Sequence, residues 1–301
     1  MITRREMLFR TGALSAGAWL AHSQLGLAAT GVHADASYDS TPALAPGAPM
    51  SEERLALIEE FKKKSEGLQE KYEARASKGE WAMPYRLFHP SASGKLPLII
   101  YLHGSGGQGD ENLKQLALGN IFGTRVWILP ENQKKFPCFV LAPQSDRGWV
   151  RYDPAKLQQG KFAMIAGPGQ GVSKVLEVID ALLREFPIDE RRIYAMGQSM
   201  GGAGTWNLIA SRPDFFAAAV TCCGSISGDD GTGSIKTALW NFHGDADQTV
   251  PVLLSRDRIA ARRKAGGHPL ATEYAGVDHN VWEWAFTEPE LPKWLFAQSR
   301  D

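Results

Sequence analysis

Between Ile193 and Trp206 an apolar run meets Gly197-Gln-Ser199-Met-Gly201 and continues into helix-forming residues. A strand that turns directly into a helix leaves no room for a Cβ on either side of the corner, and glycines stand at both places. Ser199 is left on a strained turn with its hydroxyl exposed above the sheet edge. Such a hydroxyl becomes a nucleophile when a base takes its proton and main-chain N–H groups receive the developing negative charge. In a chain with 31 glycines G-x-S-x-G is weak evidence alone, so its surroundings decide its meaning.

Those surroundings alternate between strand and helix patterns. Residues 96–102 (Leu-Pro-Leu-Ile-Ile-Tyr-Leu) form a continuous apolar run, as expected of a strand buried on both faces of a parallel sheet. The run empties into His103-Gly-Ser-Gly-Gly107, a turn able to aim N–H groups at an anion. Further strands are expected at 83–88, 136–142, 191–196, 216–221, 237–242 and 271–274. Helices are expected at 172–186, 203–211, 253–265 and near the C-terminus. This alternation implies an α/β fold, a mostly parallel, doubly wound sheet flanked by helices. The stretch 145–171 reads as a long irregular loop, and Trp149 within it is the first candidate for a substrate-binding wall. Its Gly167-Pro-Gly-Gln-Gly171 lacks the third glycine of a dinucleotide loop.

Composition narrows the partners. Thirty-three basic residues balance 33 acidic ones, which excludes a charge-driven nucleic-acid or anionic-membrane partner. Cys138, Cys222 and Cys223 are too few for a disulfide scaffold and read as buried thiols. The chain lacks H-E-x-x-H and C-x-x-C, so no metal or cofactor is expected. Arg4-Arg5, a weakly apolar stretch over 11–21 and small residues near Ala28 and Ala29 resemble a twin-arginine signal, with cleavage expected after Ala29 or Ala34. The expected organisation is a signal peptide over 1–34, a linker over 35–50, an amphipathic helix over 51–80 and a catalytic domain over 81–301. The mature protein is then periplasmic or extracellular, with no membrane attachment after cleavage.

An acid and a histidine must follow the serine, on loops at the carboxyl ends of strands. His279 follows the 271–274 strand. Asp245 and Asp247 follow the 237–242 strand, and position alone does not separate them. His268 precedes a strand, while His103 and His243 occupy glycine-flanked strand ends.

Together the blocks at 95–107, 136–144, 192–206, 243–251 and 276–282 resemble the α/β-hydrolase superfamily. Within it they are similar to exported bacterial esterases known as predicted peptidases, related to the dienelactone hydrolase, polyhydroxybutyrate depolymerase and feruloyl esterase types. The resemblance covers the chain from about Met83 onward. It implies an α/β-hydrolase fold without a large cap domain, Ser199 as nucleophile, His279 as base and Asp247, not Asp245, as acid. The oxyanion-hole donors it implies are the backbone N–H groups of Ser105 and Met200, with Gly106 the alternative to Ser105. Asp278 departs from the relatives' small residue before the histidine and puts a second carboxylate beside it. The implied activity is carboxylic ester hydrolysis through an acyl-enzyme, on acyl esters of polysaccharides or small aryl and alkyl esters. A serine peptidase and a non-catalytic binding protein on the same scaffold are the alternatives. Trp206, Trp282 and Trp284 join Trp149 as candidate cleft residues.

Overall fold

The computed structural model describes residues 51–153, 155, 164–225 and 236–301. The expected signal segment and linker lie outside them. Helix α1 (Glu52–Lys64) starts where the Ser51 hydroxyl accepts the Arg54 N–H at 3.2 Å, with Glu52 and Glu53 in its first turn and Lys62–Lys64 in its last. Capping oxygen and charges both favour the helix dipole. The expected helix over 51–80 is corrected here. After α1 a 3₁₀ turn covers Leu68–Lys71, and Glu73–Ala76 is a strand, β1, because its extended backbone pairs antiparallel with β2 (Pro84–Phe88). With Glu73 and Arg75 it forms a short, charged sheet edge, which resists pairing with other chains.

The remaining strands of the main sheet are β3 (Leu96–Leu102), β4 (Phe139–Pro143), β7 (Ile188–Gln198), β8 (Ala218–Cys222), β9 (Ala238–Gly244) and β10 (Leu270–Tyr274). Their order is β1-β2-β4-β3-β7-β8-β9-β10, antiparallel from β1 to β4 and parallel from β4 to β10. All residues of β3, β4 and β8 are buried, as the unbroken apolar runs require. Each large aliphatic side chain so placed contributes about 2 kcal/mol. The helices are α2 (Asn120–Arg125), α3 (Pro130–Lys135), α4 (Gln170–Glu185), α5 (Met200–Ser211), α6 (Val252–Lys264), α7 (Trp282–Ala285) and α8 (Glu290–Phe296). The long stretch expected to be irregular is partly ordered by an antiparallel pair, β5 (Val150–Tyr152) and β6 (Met164–Pro168).

From β3 the chain steps to β4 on one side and later to β7 on the other. At such a reversal the loops after adjacent strands part and leave a crevice at the carboxyl ends. The turn after β3 and the corner after β7 both open there.

Candidate active site

Ser199 joins β7 to α5 with φ 53° and ψ −122°, a conformation side chains rarely adopt. Crowding enforces it. A Cβ on Gly201 would overlap the Leu102 carbonyl oxygen, and one on Gly197 would overlap the Gly201 carbonyl oxygen. The Ser199 N–H donates to Cys222 O at 2.8 Å and its carbonyl accepts the Ala203 N–H at 3.0 Å, so backbone bonds fix both sides of the corner.

The structure brings Ser199, His279 and Asp247 together. His279 Nε2 lies 2.8 Å from Ser199 Oγ, and His279 Nδ1 lies 2.8 Å from Asp247 Oδ2. The carboxylate needs an Nδ1–H, which leaves Nε2 to accept the serine proton. Asp247 Oδ1 accepts the N–H groups of Thr249 and Val250, both at 2.8 Å, while Oδ2 also faces His243 Nε2 at 3.2 Å. Burial works to raise the Asp247 pKa. The neighbouring His243 and His279 and the backbone N–H of Val250 outweigh it and hold the carboxyl well below the usual range.

The two other aspartates have separate tasks. Asp245 Oδ1 accepts the Gly276 N–H at 2.6 Å. Asp278 Oδ1 accepts the N–H groups of Gln248 at 3.0 Å and His279 at 2.7 Å, tying the acid's loop to the histidine's.

The glycine turn after β3 is held from beneath. Ser145 N–H donates to His103 Nε2 at 3.1 Å, so Nδ1 carries the proton and donates to Gly104 O at 2.7 Å. Burial lowers the His103 pKa to about 4, against the opposing pull of the Gly104 carbonyl, and the ring is neutral. Asn120 Oδ1 takes the Gly104 N–H at 3.2 Å, and Gln198 accepts a short hydrogen bond from Tyr101. The N–H groups of Ser105 and Met200 donate to no acceptor among the described residues. Sequence reasoning missed Asn120, Tyr101 and Gln198 as supports; only the position of Gln198 inside the corner motif could have marked it.

Trp149 must be corrected. Its side chain is fully buried, its ring packs on His103 with centroids 4.8 Å apart, and its Nε1–H donates to His103 O at 2.9 Å. It supports the turn from inside and cannot form a substrate wall. Trp206 and Trp284 are buried too, whereas Trp282 stands edge-on to the His279 ring at 5.5 Å. Leu118, 75% exposed, reaches toward Gly106. Cys138, Cys222 and Cys223 are buried and unpaired. The donor atoms of Cys223, Asp247 and His279 lie within 4.8 Å of one another, a possible ligand set in which the acid and histidine already bond each other. Burial raises the Cys223 thiol pKa well above its ordinary value, so the thiol stays protonated beside the serine.

Comparisons with known proteins bear on the fold and the family. The chain is 35% identical to a thermostable esterase of known structure, with a TM-score of 0.69 over 78% of this chain and 64% of that one. A ferulic acid esterase of the anaerobic fungus Anaeromyces mucronatus superposes with a TM-score of 0.53 at 15% identity, over 72% of this chain and 87% of that one. An acylaminoacyl peptidase of Pyrococcus horikoshii does so with a TM-score of 0.54 at 12% identity, over 77% and 42%. At such identities these last two show the fold alone. No curated protein matches significantly. The pattern of the phospholipase/carboxylesterase family matches residues 89–288, which include β3 to β10 and the loops that carry Ser199, Asp247 and His279, and the chain belongs to that family.

Proposed function

We propose that the protein is a serine carboxylic ester hydrolase with Ser199 as nucleophile, His279 as base and Asp247 as acid. The observation that carries this reading is the continuous Ser199–His279–Asp247 hydrogen-bonded chain, with 2.8 Å at each step. In the reaction His279 Nε2 takes the hydroxyl proton as Oγ bonds to the ester carbonyl carbon. The N–H groups of Ser105 and Met200 receive the oxyanion, each worth about 3 kcal/mol in such a site. The imidazolium then gives its proton to the departing alcohol and leaves an acyl-enzyme. Water, deprotonated by the same nitrogen, releases the acid. Asp247 keeps the imidazole in the Nδ1–H tautomer and stabilises its charged form. Trp282 beside the His279 ring and Leu118 beside the glycine turn after β3 offer apolar surface, which suits an ester with an apolar acyl or alcohol part.

The test is hydrolysis of p-nitrophenyl esters by the Ser199→Ala variant. A fall in kcat of at least about 10⁴-fold is expected, since removing the nucleophile disables the whole unit. Retained hydrolysis would overturn the assignment. Comparable cleavage of a peptide amide by the wild type would move the reading to a peptidase.

A further inference from the structure

Asp247 Oδ2 is bordered by two imidazoles, and each has its far nitrogen on a serine hydroxyl. On one side His279 Nε2 meets Ser199 Oγ at 2.8 Å. On the other, His243 Nδ1 meets Ser255 Oγ at 2.7 Å. The second pair is sealed from solvent: His243, near the end of β9, is 0% exposed and Ser255, in α6, is 1% exposed. A serine hydroxyl that donates to Nδ1 leaves the ring proton on Nε2. Nε2 stands 2.9 Å from Val250 O and 3.2 Å from Asp247 Oδ2, so its N–H edge faces both.

We propose that His243, oriented by Ser255, is a positioning residue that holds the Asp247 carboxylate in register with His279. This rests on reading Ser199, His279 and Asp247 as the reacting set. Oδ1 is fixed by the N–H groups of Thr249 and Val250, but those bonds alone let the carboxylate swing about that oxygen. His243 limits the swing at Oδ2. Through Val250 O it also steadies the peptide whose N–H binds Oδ1. Without the ring, the second lone-pair site of Oδ2 would be buried and unpartnered. The spacing follows from the strand: with four positions from His243 to Asp247, the residue near the end of β9 lies under the loop that turns back over it.

The experiment compares the rate at which a fluorophosphonate labels the serine, and kcat and KM for a p-nitrophenyl ester, across His243→Phe, His243→Gln and Ser255→Ala. In the labelling step Oγ bonds to phosphorus, fluoride leaves and His279 takes the proton. This rate reads the nucleophile without depending on the choice of ester. His243→Phe should slow labelling and lower kcat about 10- to 100-fold with KM within about threefold, since small misplacements at a reacting centre cost that much. His243→Gln, whose amide N–H can reach the place of Nε2–H, should return to within about fivefold of wild type. Ser255→Ala should slow labelling about threefold and move the downfield proton resonance of the His279 Nδ1–H. Wild-type labelling by His243→Phe, or a His243→Gln variant as slow as His243→Phe, overturns the proposal. If circular dichroism shows that His243→Phe does not fold, wild-type labelling by Ser255→Ala with an unmoved resonance overturns it. A fully active Ser199→Ala variant would instead bring down the parent reading, because labelling would then report a different group.

Discussion

Two regions meet at the Ser199 hydroxyl, and they are held in place by different forces. The corner between β7 and α5 is steric: Ser199 keeps its positive φ because Gly197 and Gly201 lie against carbonyl oxygens with no space for a Cβ. The facing loops after β9 and β10 are polar: Asp245, Asp247 and Asp278 each bind particular N–H groups and so set the loop shapes. Contact repulsion is short-ranged and unforgiving, so the corner has one solution. A hydrogen-bonded loop can exchange one partner for another, so residues of the same type can hold unlike roles.

The largest expected effect tests whether Asp247 and Asp245 divide their work as the structure has them. Asp247→Asn should lower kcat about 10⁴-fold by spoiling the tautomer of His279. Asp245→Ala should leave kcat within about threefold and cost about 1 kcal/mol of stability for the lost bond to Gly276. Equal losses of activity in steady-state assays would erase the distinction between neighbouring carboxylates.

Next in size is a test of the steric side. Gly201→Ala puts a methyl group onto the Leu102 carbonyl oxygen and should cost about 3 kcal/mol in urea unfolding, with activity lost because β3 and α5 must separate. A variant of wild-type stability would mean that the corner relaxes, and the contrast with the loops would fail.

Acidification separates the regions by a margin no larger than that. His103, beneath the turn beside the corner, has its pKa lowered by burial to about 4 from an ordinary value of 6.5. Its folded value lies below its unfolded one, so its contribution is complete above about pH 6.5 and is lost as pH falls toward about 4, by up to roughly 3 kcal/mol. The Asp247 carboxyl is also held low in the folded protein, and its contribution persists down to the usual carboxylate pKa of about 3.9, fading only below it. Urea titrations between pH 7 and 4 should therefore show a decline that His103→Gln flattens. A decline unchanged by that substitution would place its origin outside the corner.

How much of this could be read from the residues follows the same division. The apolar run at Leu96–Leu102, the two glycines around Ser199 and the later acid and histidine announce a parallel sheet with a serine at a strand end, because burial and crowding select residue types directly. The strand at Glu73–Ala76 was hidden, since an exposed edge carries no apolar pattern and exists only through pairing with β2. Trp149 was misread because a tryptophan in a long loop looks the same in sequence whether its ring faces a cleft or the core.

The sequence by itself determined the class of fold, the corner at Ser199 and the chain order of serine, acid and histidine. Chain position left Asp245 and Asp247 equal and the family resemblance named Asp247, whereas only the tertiary structure decided that Trp149 is buried beneath the glycine turn after β3 and that His243 and Ser255 stand behind Asp247. The physical reason is selectivity. A close backbone approach admits only glycine, whether the obstructing oxygen is four positions away, as at Gly197, or on another strand, as at Gly201, and so leaves a mark on residue type, while a hydrogen bond such as that of His279 to Asp247 can be made by many residue pairs and exists only once the sheet has aligned the strand ends.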